Sequence, residues 1–257
     1  MNLFQTIVLS IVQGITEFLP VSSSGHLAVL QTIWQLPESS IAFDTLLHFG
    51  TLGAILAIFY KDIKAIIENK NWKIIKLLII GTLPAAIFGL LFKSFIETKF
   101  SSLKFIGFAF LITALFLFLT RFATRFSEKN QQNQIDIESI SFLDALIIGI
   151  AQAIALFPGI SRSGMTITAG LFRKLEPKTA YEFSFLLAIP AILGAFVLQM
   201  PNLIQQAQNN YLLYALGTLI AFIIGIISLK VLSKILQKGK FFWFSFYLLI
   251  LGILILI

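Results

Sequence analysis

Two polar stretches interrupt an otherwise apolar sequence and hold most of the side chains that could do chemistry. The first is Q-G-I-T-E-F-L-P-V-S-S-S-G-H at residues 13–26, and the second is Q-A-I-A-L-F-P-G-I-S-R-S-G-M-T at residues 152–166. They align without a gap at a constant offset of 139 residues, the distance from Gln13 to Gln152. The other identical pairs include Phe18 and Phe157, Ser22 and Ser161, Ser24 and Ser163, and Gly25 and Gly164. Two copies of one polar loop predict two half-sites that meet.

Arg162 is the residue in the second stretch best suited to bind an anion. Its guanidinium group offers a planar fork of donors that meets two phosphate oxygens at once. Free N–H groups at the start of a helix, predicted over residues 164–172, would add to an anion cradle. The predicted partners of the anion are the hydroxyl and glycine residues around the arginine: Gly159, Ser161, Ser163, Gly164 and Thr166. A structural ion pair with Glu17 is the alternative, and the two interpretations can coexist.

Glu17 supplies the negative charge of the first stretch. Gln13 lies four residues earlier, so their side-chain oxygens share one face of a helix. This pair suits a hard divalent cation, Mg or Ca, whose other ligands would be phosphate oxygens of a substrate. The same carboxylate would also serve as a general base or as the partner of Arg162. A functional carboxylate is therefore predicted, with a metal site at Gln13 and Glu17 as one interpretation.

Three consecutive serines and a histidine complete the first stretch. Any one of the serines could cap a helix that begins near Gly25, but three exceed what capping requires. We therefore expect Ser22 and Ser24 to contact a substrate. His26 follows one turn into the helix, within reach of the serines, and could deprotonate a nucleophile or protonate a leaving group. Three further polar residues are interpreted as helix-end residues without a functional role: Asp44, His48 and Glu182.

Composition places these stretches in a membrane protein. The 257 residues are 58% hydrophobic and 12% charged, which is more apolar than a soluble core of this size could bury. The absence of cysteine excludes disulfides, a thiol nucleophile and thiolate metal sites. The net charge is +7, and in such a protein the basic residues mostly lie in cytoplasmic loops. No basic soluble domain is present, so nucleic acid is not an expected partner.

The helices that must position the two stretches are predicted to be short and paired. Residues 3–19 and 25–35 are each shorter than the ~20 residues of a membrane span, and so are residues 141–157 and 164–172. Each pair is interpreted as a re-entrant hairpin, whose irregular tip is tolerated at membrane depth only beside protein or a water-filled cavity. The predicted spans are residues 41–60, 74–92, 103–120, 181–200, 211–232 and 241–257.

The predicted fold is thus an all-α polytopic membrane protein with six transmembrane helices and two re-entrant hairpins in an inverted repeat. Three crossings in each half are an odd number, so the second half is expected to be inverted relative to the first. The halves are residues 1–120 and 141–257, joined by a flexible polar linker at residues 121–140. In this topology fifteen of the nineteen Lys and Arg residues fall on one side and three on the other. The positive-inside rule makes the richer side cytoplasmic.

The two stretches resemble the motifs of the undecaprenyl-diphosphate phosphatase family, also called the bacitracin-resistance family. Its first motif, Glu or Gln followed after three residues by Glu, is matched by Gln13 and Glu17 and runs into L-P-V-S-S-S-G-H. Its second motif, P-G-x-S-R-S-x-x-T, is complete from Pro158 to Thr166. The similarity extends over the whole chain in length and hydropathy.

This resemblance implies an enzyme of the bacterial plasma (inner) membrane that removes the terminal phosphate from a C55 polyprenyl diphosphate. The product is the monophosphate lipid carrier for peptidoglycan, and the activity confers bacitracin resistance. By carry-over, Ser23 is the nucleophile, while His26 and Glu17 assist proton transfer or hold a divalent cation. Arg162, with Ser161, Ser163 and Thr166, binds the diphosphate.

An anionic-lipid transporter or flippase is the alternative function, because an inverted repeat around an arginine would also suit a carrier. Release of phosphate by the purified protein distinguishes the two functions. Besides the polyprenyl diphosphate, the expected partners are membrane lipids. The sequence leaves the oligomeric state open, a homodimer included.

Overall fold

The fold is described from a computed structural model, which describes residues 1–36, 40–100, 102–129, 134–206 and 211–257. Within these ranges the chain is helical and has no β-strand. The α-helices are α1 (Leu3–Thr16), α2 (Ser23–Ile33), α3 (Ser40–Ile58), α4 (Tyr60–Glu68), α5 (Trp72–Leu91), α6 (Lys93–Phe100), α7 (Leu103–Lys129), α8 (Phe142–Ile154), α9 (Arg162–Phe172), α10 (Pro177–Gln206), α11 (Tyr211–Gln237) and α12 (Phe244–Leu256). The predicted all-α fold class is therefore confirmed.

Each predicted hairpin consists of two short helices whose first turns are capped by polar side chains. Asn2 begins α1 with a capping box, and Ser141 begins α8 in the same way. The second helix of each pair begins two residues earlier than predicted, at Ser23 in α2 and at Arg162 in α9. The caps are Ser22 and Ser161, so each helix starts two residues before the predicted glycine, and Ser22 is one of the three serines proposed as a cap.

Four helices are long and apolar enough to cross a membrane in the described part of the chain: Trp72–Leu91, Leu103–Phe122, Pro177–Met200 and Tyr211–Gln237. A fifth crossing is obtained if α3 and α4 are one span, although they meet at a bend of 66°. Residues 241–257, the predicted sixth span, form a 3₁₀ turn and the short helix α12. The chain is therefore a multi-pass membrane protein, while the count of six spans and two re-entrant hairpins stays a prediction.

The predicted linker at residues 121–140 is more ordered than its polar composition indicates. Helix α7 continues to Lys129, so residues 121–129 of the predicted linker are helical. Beyond the gap at residues 130–133, the backbone N–H of Ile135 donates to Lys174 O at 3.0 Å. Hydrogen bonds from Ser139 hold the pKa of the Asp136 carboxyl below its usual value. The division of the chain at this segment stays a prediction.

The long helices α5 and α11 each receive the first helix of a hairpin from the other half of the chain. Helix α1 packs against α11, and α8 packs against α5. Glycine permits the close approach in the second pair, because a Cβ on Gly149 would lie 2.4 Å from Gly81 O. The two receiving helices share a sequence pattern, G-T-L-P-A-A-I-F-G at residues 81–89 and G-T-L-I-A-F-I-I-G at residues 217–225. This matching pair of contacts brings both hairpin tips to the centre of the molecule.

Candidate active site

The two hairpin tips touch. Arg162 Nη2 donates to Glu17 Oε1 at 2.8 Å, and Ser163 Oγ donates to Leu19 O at 3.4 Å. The backbones meet as well, since a Cβ added to Gly25 would lie 3.0 Å from Gly159 Cα. The prediction that the two half-sites meet is therefore confirmed.

Glu17 is at the centre of this contact. Its Oε2 accepts a hydrogen bond from Ser23 Oγ at 2.7 Å and another from Gln13 Nε2 at 3.1 Å. His48 Nε2 lies 3.4 Å from the same oxygen, while Arg162 holds the other. The Glu17 side chain is only 6% exposed, so these donors replace the water that an ionised carboxylate requires. A hydroxyl hydrogen-bonded to a buried carboxylate is the arrangement of a nucleophile beside its general base.

Arg162 has a guanidinium donor that Glu17 does not use. Its Nη2 is engaged by Glu17, but its buried Nη1 has no hydrogen-bond partner in the structure. The guanidinium carbon also lies 5.6 Å from the ring centre of Phe185, a cation–π contact that fixes the group. Because buried polar groups are nearly always paired, an unpaired guanidinium nitrogen indicates a place for a ligand or water. An anion such as phosphate fits it.

The other polar residues around Arg162 brace the second tip. Ser161 Oγ accepts from Gly164 N at 3.1 Å and so caps α9. Thr166 Oγ1 donates to Arg162 O at 2.8 Å and contacts Ser184 Oγ at 2.6 Å. Gly159 has a φ of 91°, a conformation that other residues rarely adopt. These side chains are buried and engaged within the protein, and their role as substrate ligands stays a prediction.

Ser22 and Ser24 hold the first tip in a strained shape. Ser22 caps α2, since its Oγ accepts from Gly25 N at 3.4 Å, and Ser24 Oγ lies 3.3 Å from the Ser22 hydroxyl. The backbone of Ser22 has a φ of 67°, which costs about 1–3 kcal/mol for a residue other than glycine. This turn presents the Ser23 hydroxyl to Glu17. Substrate contacts of Ser22 and Ser24 stay a prediction.

His26 lies beside the site, and its ring nitrogens contact groups other than Ser23 and Glu17. Nδ1 is 2.8 Å from Ser22 O, and Nε2 is 2.6 Å from the hydroxyl of Tyr247. A carbonyl oxygen only accepts, so Nδ1 carries the proton and Nε2 accepts from the tyrosine. Sequence reasoning missed Tyr247, which lies 221 residues away in a segment that reads as a plain apolar span.

The sequence interpretation placed His48 and Asp44 at helix ends, and the structure places them elsewhere. Both lie inside α3, and His48 contacts Glu17 at the tips. Asp44 accepts two hydrogen bonds from Gln31 Nε2, at 2.8 and 2.9 Å, which tie α3 to α2. Glu182 forms a pair with Lys178 at 3.7 Å, away from the tips. The sequence did contain one signal for His48, because histidine is rare in this chain, which has two.

Comparison with known proteins identifies the family. A sequence model described as Bacitracin resistance protein BacA matches residues 6–254. The chain belongs to this family. A protein of Carboxydothermus hydrogenoformans named undecaprenyl-diphosphatase is 45% identical over 262 residues, covering 100% of this chain and 97% of the relative. Proteins of the same name from Desulforapulum autotrophicum, at 40% identity, and Bacillus cereus, at 42%, match 100% of this chain and 98% and 97% of their own lengths.

The predicted metal ligands of this family member, Gln13 and Glu17, are hydrogen-bonded to each other at 3.1 Å, and a metal site there stays a prediction. Both oxygens of Glu17 face donors, including a guanidinium, which is unlike the surroundings of a metal-bound carboxylate. In the described ranges no group of three His, Asp or Glu residues could hold a metal ion. Gln13 Oε1 is nevertheless buried without a hydrogen-bond partner. That oxygen can accept from a water or a substrate.

Proposed function

We propose that this chain is an integral membrane phosphatase that hydrolyses undecaprenyl diphosphate to the monophosphate and inorganic phosphate. The observation that carries the proposal is the contact of Ser23, Glu17 and Arg162 between the two hairpin tips. A hydroxyl, a base and an anion-binding donor lie together in a buried site. Phosphoryl transfer requires groups positioned in this way. The relatives named undecaprenyl-diphosphatase, at 39–45% identity, supply the substrate.

The free donor of Arg162 binds the terminal phosphate. Its nitrogen Nη1 is buried and unpaired among the described residues, and α9 begins at the same residue, which places the positive end of the helix dipole there. Charge neutralisation by this group stabilises the transferring phosphoryl oxygens. The roles of Ser22, Ser24, Gly159, Ser161, Ser163, Gly164 and Thr166 are to hold the two tips and line the phosphate.

Ser23 Oγ attacks the terminal phosphorus of the diphosphate. The Oγ–P bond forms as the bond from that phosphorus to the bridging oxygen breaks, and the polyprenyl monophosphate leaves. The Ser23 proton passes to Glu17, which accepts its hydrogen bond. Water then hydrolyses the phosphoserine, giving inorganic phosphate and the free serine. Direct attack by a water that Glu17 activates is the alternative route to the same products.

A divalent cation, Mg or Ca, enters this proposal as a companion of the diphosphate. The cation would be held mainly by phosphate oxygens, as magnesium usually is, and Gln13 Oε1 is a nearby buried oxygen without a partner. The steps above form and break no bond to the cation, which would act by reducing the negative charge of the diphosphate. Removal of divalent ions with EDTA should lower the rate of hydrolysis, and added Mg or Ca should restore it. Gln13→Ala should need a higher concentration of the cation for the same rate.

The membrane setting follows from the long apolar helices and the substrate. Side chains such as Leu91, Leu212 and Leu254 are 73%, 69% and 66% exposed, as expected of a surface facing lipid tails. The polyprenyl chain would remain in the bilayer while its head group reaches the tips. We place the protein in the bacterial plasma membrane, where it regenerates the carrier for peptidoglycan and other wall polymers and confers bacitracin resistance. A homodimer remains one arrangement for it.

The test is phosphate release by the purified chain. In detergent without any gradient, undecaprenyl diphosphate should yield one inorganic phosphate and one monophosphate lipid per turnover. A transporter or flippase would release none, and that outcome would refute the proposal. The names of the relatives favour the phosphatase over the carrier.

A further inference from the structure

We propose that His48 is a positioning residue for Glu17, which it holds by donating the Nε2 proton to Oε2. The inference rests on the phosphatase function proposed above, because it concerns the carboxylate that takes the Ser23 proton. It concerns a residue of α3, outside both hairpins and outside the motifs from which the function was predicted.

The orientation of the His48 ring is set by its own helix. Nδ1 lies 2.8 Å from the backbone oxygen of Asp44, one turn earlier in α3. A carbonyl oxygen has lone pairs and no proton, so Nδ1 must be the donor in this contact. The ring therefore cannot rotate away without losing a hydrogen bond, and Nε2 is directed away from the helix.

Nε2 meets a second acceptor, since it lies 3.4 Å from Glu17 Oε2. Both ring nitrogens of His48 therefore face oxygen acceptors, Asp44 O and Glu17 Oε2. The attraction between a ring N–H and a carboxylate oxygen is strong where water is excluded.

The contact matters because Oε2 also receives the Ser23 hydrogen bond. A carboxylate can rotate about its terminal torsion. Gln13 and Ser23, which donate to Oε2, both belong to the first hairpin, so His48 is the contact to this oxygen from outside the hairpin. His48 fixes the second oxygen from α3, so that Oε2 faces the Ser23 hydroxyl. The His48 side chain is 31% exposed against 6% for Glu17, and it therefore also covers the carboxylate on its more open side.

His26 provides the contrast that makes the assignment specific. Its Nδ1 also donates to a backbone carbonyl one turn earlier, but its Nε2 faces a tyrosine hydroxyl that can donate. In both histidines of the chain, Nδ1 is anchored on a backbone carbonyl one turn earlier. Nε2 faces a carboxylate oxygen in His48 and a hydroxyl in His26.

The experiment compares three substitutions at one position in the phosphate-release assay. Glutamine carries its amide nitrogen about as far from Cβ as the Nε2 of histidine, whereas asparagine is one carbon shorter and alanine has no donor. We expect H48A and H48N to lose about ten- to hundredfold in kcat with KM little changed, as for a lost hydrogen bond to a charged group. H48Q should recover kcat to within about threefold of the wild type, because it restores the donor.

The controls separate a positioning role from damage to the helix. Thr51 lies one turn further along α3, is buried, and bonds only to the backbone of its own helix. T51V should leave kcat unchanged, and all variants are compared by thermal unfolding in detergent. Wild-type kcat in H48A and H48N, or an H48Q as slow as H48N, would overturn the proposal. H48Q and H48N decide the matter even if H48A does not fold, and an inactive wild type would instead refute the proposed function.

Discussion

The two hairpin tips have the same framework and different chemistry. In each, a serine caps the second helix through the N–H of a glycine three residues on, at 3.4 Å for Ser22 and 3.1 Å for Ser161. In each, that serine hydroxyl lies 3.3 Å from the hydroxyl two residues later, on Ser24 or Ser163. The repeated sequence therefore encodes a repeated turn, and the turn itself does not distinguish the two halves.

The difference lies at three aligned positions. Where the first tip has Glu17, Ser23 and His26, the second has Leu156, Arg162 and Met165. In the proposed reaction, one tip supplies the groups that move protons, and the other supplies the group that binds negative charge. The site is complete only where the tips touch, through the Glu17 to Arg162 hydrogen bond of 2.8 Å. A duplicated frame thus gives one asymmetric site rather than two equal ones.

Removal of the charge from the second tip should have the largest effect. Arg162→Ala leaves Glu17 buried without its cation and the phosphate without its donor. We expect hydrolysis to fall roughly 10³–10⁵-fold, the range for an arginine that stabilises a transferring phosphoryl group. Phosphate release measures this fall. Arg173→Ala, at the other end of α9, should lower thermal stability by losing its 2.6 Å bond to Asp144 and keep kcat; equal losses in both variants would contradict the assignment.

Removal of the hydroxyl from the first tip should have the next largest effect. Ser23→Ala removes the donor to Glu17 Oε2, and we expect a loss of roughly 10²–10⁴-fold in kcat. Mass spectrometry of enzyme quenched during turnover should find one added phosphate on the wild type and none on the variant. Ser233→Ala, on α11, is the matched control and should behave as wild type. A normal rate in Ser23→Ala would assign the attack to water.

Much of this comparison could be predicted from the sequence. The constant offset between the two stretches indicated a duplicated turn, and residue types alone indicated that Glu17 and Arg162 carry complementary charges. Apolar composition identified the membrane class, because no other arrangement accommodates so many hydrophobic side chains. These features are local or compositional, so a single sequence contains them.

The parts that could not be predicted depend on contacts between distant segments. His48 and Tyr247 reach the site from α3 and α12, and nothing in their own neighbourhoods distinguishes them from ordinary residues of apolar helices. The order of residues 134–139 likewise comes from hydrogen bonds to Lys174 and Glu176, which a polar local sequence does not reveal. Helix starts were misplaced by two residues because any of several consecutive serines could have been the cap.

The backbone conformations of the two tips can be compared by the effect of substitutions on protein stability. Gly159 has a φ of 91°, and a Cβ there would lie 2.7 Å from Ala109 Cβ and 2.8 Å from Ile106 O. Gly159→Ala should therefore destabilise the protein by about 2–4 kcal/mol. Ser22 has a φ of 67° with a side chain in place, so Ser22→Gly should leave stability unchanged or raise it by about 1 kcal/mol. Thermal unfolding in detergent measures both, and equal destabilisation would contradict the interpretation of strain at Ser22.

The smallest expected effect tests whether the last helix belongs to the first tip. Tyr247→Phe keeps the ring stacked on His26, at 5.7 Å and an angle of 7°, but removes the hydroxyl 2.6 Å from Nε2. We expect a three- to tenfold fall in kcat, about one hydrogen bond, with unchanged folding, because His26 loses the donor that keeps its proton on Nδ1. Tyr60→Phe, whose ring is 62% exposed on α4, is the control and should keep the wild-type rate. Wild-type kcat in Tyr247→Phe would leave His26 anchored by Ser22 alone and remove α12 from the site.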